Sequence, residues 1–142
     1  MPNHFNLRVY DAACELSRVV YECLEAHDVT RVPGLRGQLL GSAGSIAANT
    51  AEGAGRGSAA RFLNHLRIAL GSANETRTHL QRAKSEARLP TKAYFLCDAK
   101  ALVTARMLAS LIRRIEQDEA HRENEHRRSA ASVAPAPSSQ RL

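Results

Sequence analysis

Apolar residues recur at spacings of three and four along four successive segments of the chain. This is the period of an amphipathic helix, and it predicts helices over about 5–28, 35–52, 58–88 and from 91 onward. No run of residues alternates between apolar and polar as a half-buried strand does. Because the connections are short, the pattern predicts an all-α fold, an antiparallel up-down-up-down four-helix bundle.

The third segment has the most regular pattern. Ser58 is the predicted N-cap of this helix, and Leu89-Pro90 is the predicted stop, since proline disfavours helical backbone in the residue before it. Its apolar positions advance by four and three without a break: Phe62, Leu66, Ala69, Ala73, Thr76, Leu80, Ala83 and Ala87.

The second segment contains glycine at positions 37, 41 and 44. Each glycine inside a helix costs about 0.8–1 kcal/mol relative to alanine. We therefore expect these glycines to allow a close approach by the backbone of a neighbouring helix.

The sequence predicts a folded bundle over 1–118 and a tail over 119–142. Past Ile115 the residues turn into a run of charges that continues the fourth helix in a frayed form, and the Ser/Ala/Pro-rich end is expected to be disordered. No apolar stretch is long enough to span a bilayer, and the first residues lack the apolar core of a secretory signal. These features predict a cytoplasmic protein with no membrane contact.

Three cysteines, Cys14, Cys23 and Cys97, lie on apolar helical positions, and we expect them to be small buried side chains. No pair of helices carries the Glu-x-x-His motifs of a di-metal bundle, and no serine stands at a strand-to-helix elbow. The sequence predicts neither a metal site, nor a cofactor, nor an enzymatic activity.

The stretch Gly53-Ala54-Gly55-Arg56-Gly57-Ser58 separates the second and third helices. It lacks the lysine of a phosphate-binding P-loop, and its G-x-G-x-G spacing does not match a dinucleotide fingerprint. We interpret it as a helix corner, in which Gly53 ends the second helix in a left-handed conformation and the other glycines complete the turn. A weak anion site beside Arg56 and Arg61 is the remaining alternative.

Several polar residues near this corner are predicted to be structural. Asn49 continues the apolar stripe of the second helix, so it should point inward and need hydrogen-bond partners. We expect these residues to form a polar layer that fixes the register of the helices. The structural set comprises Asn49, Glu52, Gly53, Gly55, Arg56, Gly71, Ser72 and Glu75.

Charge is unevenly distributed along the chain, whose formal net charge is +6. Residues 5–28 hold two arginines against five acids, whereas 58–88 and 89–115 are both strongly basic. This asymmetry predicts complementary surfaces for a homo-oligomer and a basic surface for the phosphates of RNA or DNA. The candidate nucleic-acid-binding residues are Arg56, Arg61, Arg67, Arg77, Arg82, Lys84, Arg88, Lys100, Arg106 and Arg113.

Two motifs together carry a resemblance to a known family. Residues 45–58 match S-I-x-x-N-x-A-E-G-x-G-R-G-S, and residues 62–75 hold a related pattern that includes Gly71, Ser72 and Glu75. Residues 5–115 thus resemble the small bacterial four-helix bundle proteins named for reading frames in intervening sequences of 23S rRNA genes. One departure is that Leu40-Gly41 stands where that family usually has two arginines.

The resemblance implies a fold and a mode of assembly, with no catalytic activity. The family is similar to the accessory variability protein of diversity-generating retroelements, a basic homopentamer that binds nucleic acid beside a reverse transcriptase. We therefore expect a non-enzymatic oligomer, most simply a homopentamer, that contacts RNA or DNA phosphates and has a reverse transcriptase as a candidate partner. The alternative is a structural or protein–protein adaptor with no role in nucleic-acid binding.

Overall fold

A computed structural model describes residues 4–55, 57–133 and 135, with side chains from residue 8 onward. Four helices account for nearly all of this part of the chain, and it contains no strand. The helices are α1 (His4–Ala26), α2 (Leu35–Ala54), α3 (Ala59–Glu86) and α4 (Thr91–Ser132). The predicted all-α class is confirmed.

The four helices form a closed square. Each helix packs against the next one along the chain, and α4 returns to pack against α1. Within the described residues the diagonal pairs, α1 with α3 and α2 with α4, make no close contact. This is the antiparallel bundle that the apolar pattern predicts, and its core consists mainly of leucine, valine and alanine.

Both ends of α3 behave as the sequence predicts. The Ser58 hydroxyl accepts a hydrogen bond from the Arg61 backbone N–H at 3.4 Å, which is the role of an N-cap. At the other end Arg88 has a φ of 58°, and the Leu89 N–H donates to the Ala83 carbonyl at 2.9 Å. This left-handed residue and its backbone hydrogen bond end the helix just before Pro90.

The corner between α2 and α3 differs from the prediction at Gly53. This glycine lies inside α2, which ends at Ala54, and the left-handed glycine of the corner is Gly57 with a φ of 68°. The reversal of the chain therefore comes four residues later than expected. Arg56, which the sequence placed in both the structural and the basic set, lies outside the described residues.

The glycines of α2 also have other roles than expected. At Gly37, Gly41 and Gly44 a Cβ would meet nothing within 4 Å, so no neighbouring helix of the same chain packs against these positions. At Gly53 a Cβ would lie 2.7 Å from the Cβ of His65 and 3.0 Å from Cδ2 of Phe62. Close approach of α3 to α2 thus depends on Gly53 alone among these four.

The last helix includes the charged run, as the sequence predicts. It continues without a break through the predicted domain boundary at 118 and through the charged run to Ser132. Most of the Ser/Ala/Pro-rich end, 134 and 136–142, lies outside the described residues, so its predicted disorder stays a prediction. None of the described helices is long and apolar enough to cross a membrane.

The cysteines do not share one environment. Cys97 is buried and Cys23 is half-buried, whereas Cys14 is exposed, contrary to the expectation that all three are buried. Cys14 lies on a stripe with Tyr10 and Tyr21, which are also exposed. Part of the apolar surface of α1 therefore lies outside the core.

Candidate functional site

A layer of polar side chains joins α2 to α3. The Asn49 amide donates to the carbonyl and hydroxyl oxygens of Ser45 at 2.9 and 3.0 Å, and its own oxygen lies 3.2 Å from Nδ1 of His65. The Ser72 hydroxyl donates to the Ser45 hydroxyl at 3.0 Å. Asn49 and Ser72, both in the predicted structural set, are thus held together through Ser45.

The same layer continues one turn further along the helices. The hydroxyl groups of Thr76 and Ser42 are 2.9 Å apart, and both residues are buried. Sequence reasoning did not single out Ser42, Ser45 and Thr76 as partners, although their hydroxyls recur at helical spacing on facing helices. These contacts favour one register of α2 against α3, since only this alignment brings the Ser42 and Thr76 hydroxyls and the Ser45 and Ser72 hydroxyls within hydrogen-bond distance of each other.

Four other members of the predicted structural set lie toward solvent. Glu75 is exposed, and its carboxylate lies 3.2 Å from Nε2 of His79 on the same helix. Glu52 is exposed and is engaged in an interaction of its own. Gly55 and Gly71 are also exposed. The structure therefore brings Asn49, Gly53 and Ser72 into the α2–α3 contact and leaves these four residues at its edge.

Five of the predicted basic residues are already engaged within the chain. Arg67 pairs with Glu116 at 2.7 Å, Arg82 with Glu86 at 3.2 Å and Lys100 with Glu15 at 3.7 Å. The Lys84 ammonium lies 5.0 Å from the ring centroid of Tyr94 and 5.3 Å from that of Phe95. Arg77 pairs with Asp98 at 2.9 Å.

The Arg77–Asp98 pair is the most deeply placed of these contacts. Two guanidinium nitrogens donate to the two carboxylate oxygens at 2.9 and 3.3 Å, and Asp98 is buried. The hydrogen bond to Asp98 raises the pKa of Arg77, against the opposing effect of burial. This geometry joins α3 to α4, so Arg77 is poorly placed to serve a ligand.

The remaining basic candidates do not form one stripe. Arg61, Arg88, Arg106 and Arg113 are exposed, and none of them has an ion pair with an acid in the described part of the chain. Arg61 and Arg88 lie at opposite ends of α3, whereas Arg106 and Arg113 lie seven residues apart on one face of α4. Only the α4 pair can act on one ligand together.

A groove between α1 and α4 collects further arginines. Arg8 from α1 and Arg106 and Arg114 from α4 line it, over a floor that includes Val9, Met107 and Leu111. None of the described residues that line it is acidic. Guanidinium groups present several N–H donors in a plane, which suits phosphate oxygens. Sequence reasoning missed Arg8 and Arg114 here because only the antiparallel packing brings the start of α1 beside this part of α4.

Nothing in the described residues resembles a metal centre. No group of three or more His, Cys, Asp or Glu side chains there is arranged to hold a metal ion. The surface instead offers a basic groove on a rigid helical scaffold.

The fold and this groove define a four-helix bundle protein with a cationic face. The chain belongs to the 23S rRNA-intervening sequence protein family, whose model matches residues 5–110. It is also similar to a crystal structure from Bacteroides thetaiotaomicron, described as a protein of unknown function from the S23 ribosomal protein family. The two share 27% sequence identity with a TM-score of 0.69, over 77% of this chain and 98% of the other. No curated protein matches the chain.

Proposed function

We propose that this protein is a non-enzymatic accessory protein that binds the phosphate backbone of RNA or DNA. The observation that carries the proposal is the groove in which Arg8, Arg106 and Arg114 meet, with no acid among the described residues that line it. Membership of a family named after rRNA intervening sequences supports a nucleic-acid context. Arg113 extends the basic surface along α4 from the groove.

The chemistry of the groove favours backbone contacts over base readout. Arginine binds phosphate oxygens through parallel hydrogen bonds, and these contacts do not depend on sequence. A reader of single-stranded bases normally stacks them on aromatic rings. Aromatic residues make up only 4% of this chain, and none is among the described residues that line the groove.

Assembly into a homo-oligomer is part of the proposal. α1 carries an excess of acids, among them exposed Asp11 and Glu22, whereas α4 carries exposed Arg113 outside the groove. Unlike surfaces of this kind support head-to-tail contacts, which close into a ring when the rotation allows it. The number five, and a reverse transcriptase as partner, rest on the resemblance to the retroelement accessory protein. A ring would repeat the groove around its circumference.

The experiment compares two arginines that differ only in position. Arg106→Ala removes a groove residue, whereas Arg31→Ala removes one exposed arginine from the α1–α2 connection, about 27 Å away along α1. Affinity for a labelled RNA and for a DNA duplex is measured by fluorescence anisotropy at low salt. We expect Arg106→Ala to weaken binding of both nucleic acids several-fold and Arg31→Ala to leave binding near the wild-type value. Equal affinities for the two variants would contradict the assignment of the groove.

One observation favours the alternative function, a protein–protein adaptor. Phe95, Leu96 and Val103 on α4 are each more than half exposed. Exposed apolar side chains that lie near one another on a helix are typical of a surface for another protein. If neither nucleic acid binds the wild-type protein at low salt, the adaptor becomes the better account.

A further inference from the structure

Cys23 of α1 and Cys97 of α4 lie near the same turn of α1. Cys97 of α4 is fully buried, and its Sγ lies 4.0 Å from the carbonyl oxygen of Val19. Cys23 follows Val19 by four residues, which is one helical turn. Side chains of a helix lean toward its N-terminus. The Cys23 side chain therefore leans onto the turn where the Cys97 sulfur lies.

The surroundings of the two thiols shift their pKa values in opposite directions. The hydrogen bond between them lowers the pKa of Cys23 and raises that of Cys97, and burial raises the pKa of Cys97 further. Cys23 is thus the thiol of the two that ionises more readily. The thiolate is the nucleophilic form of cysteine.

Cys23 can also be reached from outside. It lies half-buried along a shallow groove between α1 and α4, which Ala26, Ala93 and Leu96 also line. Cys14 is on the opposite side of α1, since nine residues correspond to two and a half turns and about 13 Å. It cannot reach the Cys23–Cys97 pair within one chain.

We propose that Cys23 and Cys97 are a site of reversible oxidation, at which a hydroperoxide converts the two thiols into a disulfide that links α1 to α4. The Cys23 thiolate attacks the peroxide oxygen and becomes a sulfenic acid as hydroxide leaves. The Cys97 sulfur then displaces the sulfenic hydroxyl group, which leaves as water with the thiol proton. Two thiols are oxidised to one disulfide while one hydrogen peroxide is reduced to two waters.

The disulfide would close a long loop that contains all of α2 and α3. A cross-link of this length restricts the unfolded chain strongly, so the oxidised protein is expected to melt roughly 10 °C higher than the reduced protein. A thiol reductant should reverse both the link and the shift.

The test uses full-length Cys14→Ser protein, so that only Cys23 and Cys97 remain. After treatment with equimolar hydrogen peroxide and denaturation, we expect no titratable thiol, a monomer whose mass is lower by two hydrogens, and a peptide that joins the two cysteines. The matched control, Cys14→Ser with Cys23→Ser, changes a half-buried position conservatively and should keep its Cys97 thiol and its melting temperature.

Three results would overturn the proposal. Two thiols that remain after treatment would show that the pair does not react. Addition of oxygen to Cys23 without a link would show that Cys97 cannot resolve the sulfenic acid. A disulfide between two chains would show that the partner thiol lies outside the bundle.

Discussion

The same substitution, glycine to alanine, is predicted to have opposite effects at two positions of α2. At Gly53 the new Cβ would lie 2.7 Å from the Cβ of His65, whereas at Gly41 it would meet nothing within 4 Å. Carbon atoms pack best at about 3.5–4.0 Å, so Gly53→Ala requires the two atoms to separate by about 1 Å. Because a Cβ moves only with its backbone, α3 must shift away from α2.

The magnitudes follow from these geometries. Overpacking of this kind costs about 1–3 kcal/mol, and the better helix propensity of alanine offsets less than about 1 kcal/mol of it near a helix end. Gly53→Ala should therefore destabilise the fold by about 1–2 kcal/mol. Gly41→Ala carries no steric cost within the chain and should stabilise it by about 0.5–1 kcal/mol.

The assay is thermal unfolding followed by far-ultraviolet circular dichroism. For a chain of this size each kcal/mol shifts the melting temperature by roughly 3–5 °C, so the two variants should lie on opposite sides of the wild type. Light scattering on the Gly41→Ala protein serves as the control, because an exposed glycine can also lie in an oligomer interface. Two shifts of the same sign, with an unchanged mass, would refute the reasoning.

Two further predictions concern buried polar contacts between helices. Thr76→Val removes the hydrogen bond between α3 and α2 and should lower the free energy of unfolding in urea by about 1–2 kcal/mol. The control is Thr104→Val, whose hydroxyl bonds only to its own helix and whose loss should cost less. Equal costs for the two variants would argue against the register role of Thr76. Asp98→Asn breaks the ion pair between the buried Asp98 and Arg77 and should lower the free energy of unfolding by about 1–3 kcal/mol. Glu116→Gln breaks an exposed pair and should lower it by less than about 1 kcal/mol. The reverse order would contradict the placement of Asp98.

The sequence was sufficient for the number and approximate bounds of the helices. The unbroken apolar series from Phe62 to Ala87 predicts α3, and every member of it except the half-buried Phe62 is buried. A period of 3.6 residues depends only on the chain itself, and the caps at Ser58 and Leu89-Pro90 depend on local chemistry. The helical period and the caps can therefore be predicted from residues that are close together in the sequence.

Features that depend on tertiary contact were predicted less well. A glycine is needed at Gly53 because of where His65 lies on another helix, and the sequence near Gly53 does not show this. The left-handed residue of the corner is Gly57, four residues after the glycine that the sequence pattern indicated. The three glycines earlier in α2 face open space, which helical periodicity alone cannot distinguish from a helix contact.

The basic surface shows the same limit. Counting charges identified Arg77 and Lys100, yet both have acidic partners on other helices. Arg8 and Arg114 were missed because they are more than a hundred residues apart and meet only through the packing of α1 on α4. Which arginines lie together on the surface is decided by the fold, not by the net charge of a segment.

The most direct test of the central proposal is the salt dependence of nucleic-acid binding by the wild-type protein. The affinity for two DNA duplexes of unrelated sequence is measured by fluorescence anisotropy over a series of salt concentrations. If phosphate contacts carry the affinity, log K falls linearly with log salt, by about 0.9 for each phosphate neutralised, and the two duplexes give the same line. Affinity that persists at high salt, or that differs sharply between the two sequences, would contradict a backbone-binding protein.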